Sequence, residues 1–107
     1  MITYNKLVRD TIIDRIHAND WTECHHIADD EEFETKLKDK LAEEAQELKE
    51  TSIDEIKNEL ADVLRVTQEL MKFYNITKEE IKEIIQKKDE KAGGFDKRII
   101  LEEASEF

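Results

Sequence analysis

Proline is absent from this 107-residue chain, and glycine occurs only twice, at Gly93 and Gly94. With so few helix breakers, long helices are the natural outcome. There is one cysteine, Cys24. It cannot form an internal disulfide, so a reducing compartment, the cytoplasm, is expected. No apolar run approaches the roughly 20 residues needed to span a bilayer, so no membrane partner is expected. The N-terminus also lacks the basic-then-apolar pattern of an export signal. Basic residues are outnumbered, 17 against 28 acidic ones, giving a formal net charge of −11. That balance argues against binding a nucleic-acid backbone.

What the chain has is charge and periodicity. Charged residues make up 42% and hydrophobic ones 38%. The length suits one domain over residues 1–107. Such a chain buries roughly two-thirds of its unfolded surface, which makes a thin core that self-association would help.

The apolar residues are ordered in helical steps. Phe33, Leu37, Leu41, Ala45 and Leu48 predict a helix over 30–50, with Asp29 and Glu32 capping its start. Ser52-Ile53-Asp54-Glu55 reads as a capping box opening a second helix through Ile56, Leu60, Val63, Leu64, Thr67, Leu70 and Met71. Thr77 to Glu80 is a third such box, with Ile76 and Ile81 placed as a hydrophobic staple, and Gly93-Gly94 stops that helix. Residues 10–19 read as a short helix, and 22–28 and 97–101 as two short strands near the ends. The expected fold is therefore mostly α, a bundle of about four helices.

Two neighbouring helices carry paired acids, Glu44 with Glu47 and Glu59 with Asp62. Residues three apart on a helix are neighbours, so each pair presents its carboxylates together. Many such pairs arise by chance in so acidic a chain, and placement is more informative. Leu37, Leu41, Glu44 and Leu48 form an i, i+4, i+7, i+11 series with an acid inside the apolar stripe. Glu47 lies at the edge of that stripe. Glu59 and Asp62 share a face with Val66 and Phe73, leaving the second helix apolar over about half its circumference. One neighbouring helix would not cover so much, so a partner subunit is expected. An ionised carboxylate within a bundle is costly unless paired or metal-bound. No basic residue of these helices is expected in the same arc as Glu44. Four oxygen donors without a cation suit Mg²⁺, or Mn²⁺.

These residues resemble the MazG-type all-α nucleoside triphosphate pyrophosphohydrolases, a superfamily that includes the phosphoribosyl-ATP pyrophosphohydrolases. The likeness lies in Lys40-Leu41-Ala42-Glu43-Glu44 with Glu47, and in Glu59-Leu60-Ala61-Asp62-Val63-Leu64. Tyr4-Asn5-Lys6-Leu7-Val8-Arg9-Asp10 resembles the opening of one branch of small MazG-like proteins, and Gly93-Gly94-Phe95 with Lys97-Arg98 its close. That branch has Ile-Pro after its opening, where this chain has Ile12-Ile13.

The resemblance implies hydrolysis of a nucleoside triphosphate, or a related nucleotide, to a monophosphate and pyrophosphate, in a house-cleaning role. Glu44, Glu47, Glu59 and Asp62 would be catalytic residues and ligands of Mg²⁺ or Mn²⁺, with Glu43 in reserve behind them. Lys6, Arg9, Lys91 and Arg98, in or near the terminal words, would bind substrate phosphate. A homodimer or homotetramer is implied, with no nucleic-acid or membrane partner. The competing reading is a non-enzymatic acidic interaction module with its acids turned outward.

Other features are assigned no chemistry. Cys24, His25 and His26 are adjacent, and neighbouring side chains diverge too far to share one ion. His17 is expected on the polar face of the first helix. Trp21 is expected to pack near that helix's end and Phe95 to anchor in the core.

Overall fold

In a computed structural model that describes residues 2–106, the chain forms four α-helices. They are α1 (Ile12–Ala18), α2 (Asp30–Glu50), α3 (Ile56–Phe73) and α4 (Lys78–Ala92). A single 3₁₀ turn, Ile53–Glu55, precedes α3. The chain divides into two compact units, one up to Asn75 and one from Ile76.

The N-terminal unit is built on a hairpin of α2 and α3. Asp29 caps α2: its Oδ1 accepts the Glu32 backbone N–H at 2.9 Å, satisfying one of the four amides a helix start leaves free. Glu50 ends α2, and Thr51, Ser52 and the 3₁₀ turn reverse the chain. At the far end, Phe33 near the start of α2 meets Phe73 at the end of α3, ring centroids 5.8 Å apart. Tyr74 stands edge-on to Phe73 at 5.2 Å. Asn75, at φ 55°, turns the chain out of α3, a conformation asparagine tolerates well.

The inward face of α2 is the one its periodicity specifies. Leu37 is 2% exposed and is the one fully buried hydrophobic side chain among the described residues. Phe33, Leu41 and Leu48 are half-buried, whereas Ala45 turns to solvent. On α3, Val63, Val66, Leu70 and Phe73 are half-buried, while Leu60 and Leu64 stay 46% and 61% exposed.

The C-terminal unit is carried by α4. Its capping box is complete: the Glu80 N–H donates to Thr77 Oγ1 at 3.1 Å, and the Thr77 N–H donates to Glu80 Oε2 at 3.4 Å. Gly93 ends the helix at φ 79°, which a side chain would strain.

Two local expectations are corrected. Ser52 makes no side-chain cap bond; Glu55 instead accepts from Asn58 Nδ2 at 2.7 Å, so its carboxylate does not fold back. Neither 22–28 nor 97–101 is a strand, and the described residues contain none. Side chains of the first segment take local partners, Glu23 with His25 at 2.6 Å and Glu32 with His26 at 2.7 Å. The second is bent at Arg98, which adopts φ 57° and donates its N–H to the Phe95 carbonyl at 3.1 Å. A short strand without a paired neighbour and a covered face is not stable.

Because so little is fully buried, Leu37 carries a large share of the hairpin's packing. Leu37→Ala is expected to cost about 3 kcal/mol in urea denaturation, in the usual range for truncating a buried leucine.

Candidate functional site

Antiparallel packing brings the two acid pairs together near the reversing end of the hairpin. Glu44 and Glu47 lie in the last two turns of α2, and Glu59 and Asp62 in the first two of α3. One carboxylate oxygen from each of Glu44, Glu59 and Asp62 lies within 4.8 Å of the others. Glu44 is 7% exposed, the one charged residue that is buried among those described. Glu59 and Asp62 are half-buried, and Glu47 opens to solvent.

The electrostatics are unfavourable as they stand. Burial raises the Glu44 carboxyl above the ordinary range, and the Glu47 carboxyl beside it adds to the shift. Glu59 is also pushed up, first by loss of solvent and then by the charges of Glu47 and Asp62. The converging oxygens are those of Glu44, Glu59 and Asp62, and Glu47 is not in that group. Glu44 Oε2 and Glu59 Oε2 are buried and have no hydrogen-bond partner. Buried oxygens are rarely left so, and a bound cation would satisfy both.

Positive charge reaches the cluster from two directions. Lys40, one turn before Glu44 on α2, brings its Nζ to 3.7 Å from Glu44 Oε1. This corrects the expectation that no basic residue shares the arc of Glu44; the i, i+4 spacing carried the signal. The other source is the segment before α1. Arg9 Nη2 donates to Asp62 Oδ1 at 3.3 Å, and Lys6 Nζ donates to Glu43 Oε1 at 3.0 Å. Glu43 therefore sits in an ion pair at the rim, which holds Lys6 protonated. An open cleft of about 410 Å³ beside Asp62 is lined by Arg9, Ala61, Leu64, Arg65 and Gln68.

The remaining sequence candidates are placed elsewhere. Lys91 lies in the last turn of α4 and Arg98 follows it, both in the C-terminal unit. Trp21 and Phe95 are 68% and 95% exposed, so neither is the packed anchor expected. Cys24 is an exposed free thiol, and neither it nor His25 or His26 joins a metal-competent group among the described residues. No helix among those residues is long and apolar enough to cross a membrane.

The donor set fits a hard divalent cation. It offers carboxylate oxygens only, two of them buried and unpartnered, and no sulfur or imidazole. Glu44 departs from the outward-facing acids of an interaction module, since it is buried in the hairpin.

The raised carboxyls give a pH dependence whose sign is fixed. In the metal-free protein Glu44 and Glu59 hold protons at a pH where the unfolded chain has lost them. Stability therefore falls as pH rises from the ordinary carboxylate range through the raised values. In metal-free Glu44→Gln, part of this slope should vanish, and the melting temperature at neutral pH should rise by a few degrees. Thermal melts across pH in chelator measure both.

Comparison with known proteins agrees with this chemistry. Curated proteins and solved structures give no match. The family model described as phosphoribosyl-ATP pyrophosphohydrolase matches residues 8–89, which include both acid pairs and Arg9. The chain belongs to the phosphoribosyl-ATP pyrophosphohydrolase family, all-α hydrolases of the MazG-like type that act on phosphoric anhydrides.

Proposed function

We propose that this protein cleaves the α–β anhydride of a nucleoside triphosphate, or a related nucleotide, to a monophosphate and pyrophosphate. The observation carrying this reading is the cluster of Glu44, Glu59 and Asp62 with two buried, unpartnered oxygens, in a chain of this family. Glu44, Glu47, Glu59 and Asp62 are the proposed ligands of Mg²⁺, or of Mn²⁺ in its place. Such an ion, when bound, would supply positive charge to the phosphates and acidity to water.

The chain's own residues account for the rest. Glu44 and Glu59, held in the hairpin wall, are positioned by helix packing and need little reorganisation during reaction. Glu47 is the exposed member and has access to solvent. One of the four acids, in place of ligating the ion, would accept the proton of the attacking water as the new P–O bond forms and pyrophosphate leaves. Arg9 and Lys6 stand at the rim and offer donors to phosphate, with Lys91 and Arg98 proposed for the same task.

The family match runs across the boundary between the two compact units, which supports reading residues 1–107 as one functional domain. The exposed Leu60 and Leu64 on α3 support a homodimer or homotetramer in which a second copy covers that face. A house-cleaning role in the cytoplasm is part of the same proposal.

Pyrophosphate release over canonical, deoxy and modified triphosphates and phosphoribosyl-ATP, with and without Mg²⁺, tests the reading. Activity should require the metal. Glu44→Gln and Asp62→Asn should each lose about 100-fold or more in kcat, in line with the loss of electrostatic stabilisation at a reacting phosphate. A Glu44→Gln protein as active as its parent would reject the site. Leu64→Glu should shift sedimentation toward the monomer, and an unchanged mass would reject that interface.

A further inference from the structure

The segment before α1 is fastened to the hairpin at three points. The Asn5 carbonyl accepts from Lys36 Nζ at 2.7 Å, Lys6 pairs with Glu43 at 3.0 Å, and Arg9 pairs with Asp62 at 3.3 Å. The first two attachments are on α2, the third on α3. Just beyond, the Ile12 N–H donates to the Arg9 carbonyl at 3.1 Å as α1 begins. The backbone of Arg9 is thus held on both sides, and its guanidinium is the part free to change partner.

The three attachments differ in what they touch. Asn5 offers a backbone oxygen, and Glu43 lies outside the cluster. Asp62 belongs to the cluster, and its countercharge comes from outside the hairpin, whereas Lys40 serves Glu44 from the same helix. Arg9 holds Asp62 through one hydrogen bond only, with its side chain 66% exposed. That is a weak, solvent-screened pair and not a bidentate clamp. Most of its five N–H donors are uncommitted to Asp62. A carboxylate bonded to a guanidinium is a poorer ligand for a second cation, because the two positive charges repel.

We propose that Arg9 is an internal competitor for the cation at Asp62. It neutralises that carboxylate while the site holds no metal, and it leaves for substrate phosphate when metal and nucleotide arrive. One side chain then has two alternating partners, which ties ordering of the Lys6–Arg9 segment to occupancy of the site. The proposal rests on the metal-binding reading of the cluster given above.

Its signature is two effects of opposite sign from one substitution. Arg9→Gln should bind Mg²⁺ about two- to five-fold more tightly in calorimetry without nucleotide, as expected for removing a weak exposed ion pair. The same variant should raise KM for a nucleoside triphosphate about tenfold, through loss of a charged hydrogen bond. Lys57→Gln, an equal charge change on α3, should leave both values unchanged. Arg9→Lys keeps the charge and should bind Mg²⁺ as the parent does. Mg²⁺ affinity in Arg9→Gln that is unchanged, weaker, or no tighter than in Lys57→Gln would overturn the competition while leaving the metal site standing. Equal tightening in Arg9→Lys would overturn it as well, since charge would not be the cause. If neither parent nor Arg9→Gln binds Mg²⁺, the metal-binding reading itself fails and the competition with it. Binding in Arg9→Gln alone would be the strongest support.

Discussion

Repulsion between carboxylates drawn together on one side of a helical hairpin is the constraint around which the N-terminal unit is organised. Packing α2 against α3 buries Leu37 and brings Phe33 to Phe73, but the same packing brings Glu44, Glu59 and Asp62 within reach of one another. Apolar contact along most of the hairpin holds the acids together at one end. Loss of solvent first, and the neighbouring carboxylates second, raise the carboxyls of Glu44 and Glu59, and one oxygen of each is left unpartnered. Strain of this kind is a common feature of functional sites, where a group destabilising the empty protein serves the bound one.

The relief available inside the chain is partial and placed at the edges. Lys40 approaches Glu44 from within α2, and Arg9 approaches Asp62 from the preceding segment. Neither reaches Glu59. The hairpin's apolar surface has a similar imbalance. α3 turns Val63, Val66, Leu70 and Phe73 toward α2 and leaves Leu60 and Leu64 largely uncovered. A core with one fully buried hydrophobic residue among those described is thin for the chain's size, which is the physical basis for proposing a second copy on that face.

Much of the helical plan was legible because it depends on neighbours in sequence. The α2 limits, the Asp29 cap, the Thr77–Glu80 box and the Gly93 stop all follow from local side-chain chemistry. Where a local signal had a competing partner, it misled. Ser52 and Glu55 have the spacing of a box, yet Asn58 takes the glutamate. Arg98 to Leu101 have strand composition, yet a left-handed turn at Arg98 breaks the run. Trp21 and Phe95 are large enough to be anchors, but exposure depends on what the rest of the fold brings to them.

The same division applies to the cluster. Sequence alone determined that Glu44 sits in an apolar stripe and that each acid has a partner three residues away, because helical periodicity fixes which residues share a face. Only the tertiary structure decided that Glu44 converges with Glu59 and Asp62, that Glu44 is buried while Glu47 is open, and that Arg9 lies on Asp62. Those relations join residues 15 to 53 positions apart, and they depend on how the reversing turn sets one helix against the other. The acids that make the chain −11 in net charge are thus two populations, told apart by what the hairpin places around them. Most form a solvated coat, and a few share one crowded corner.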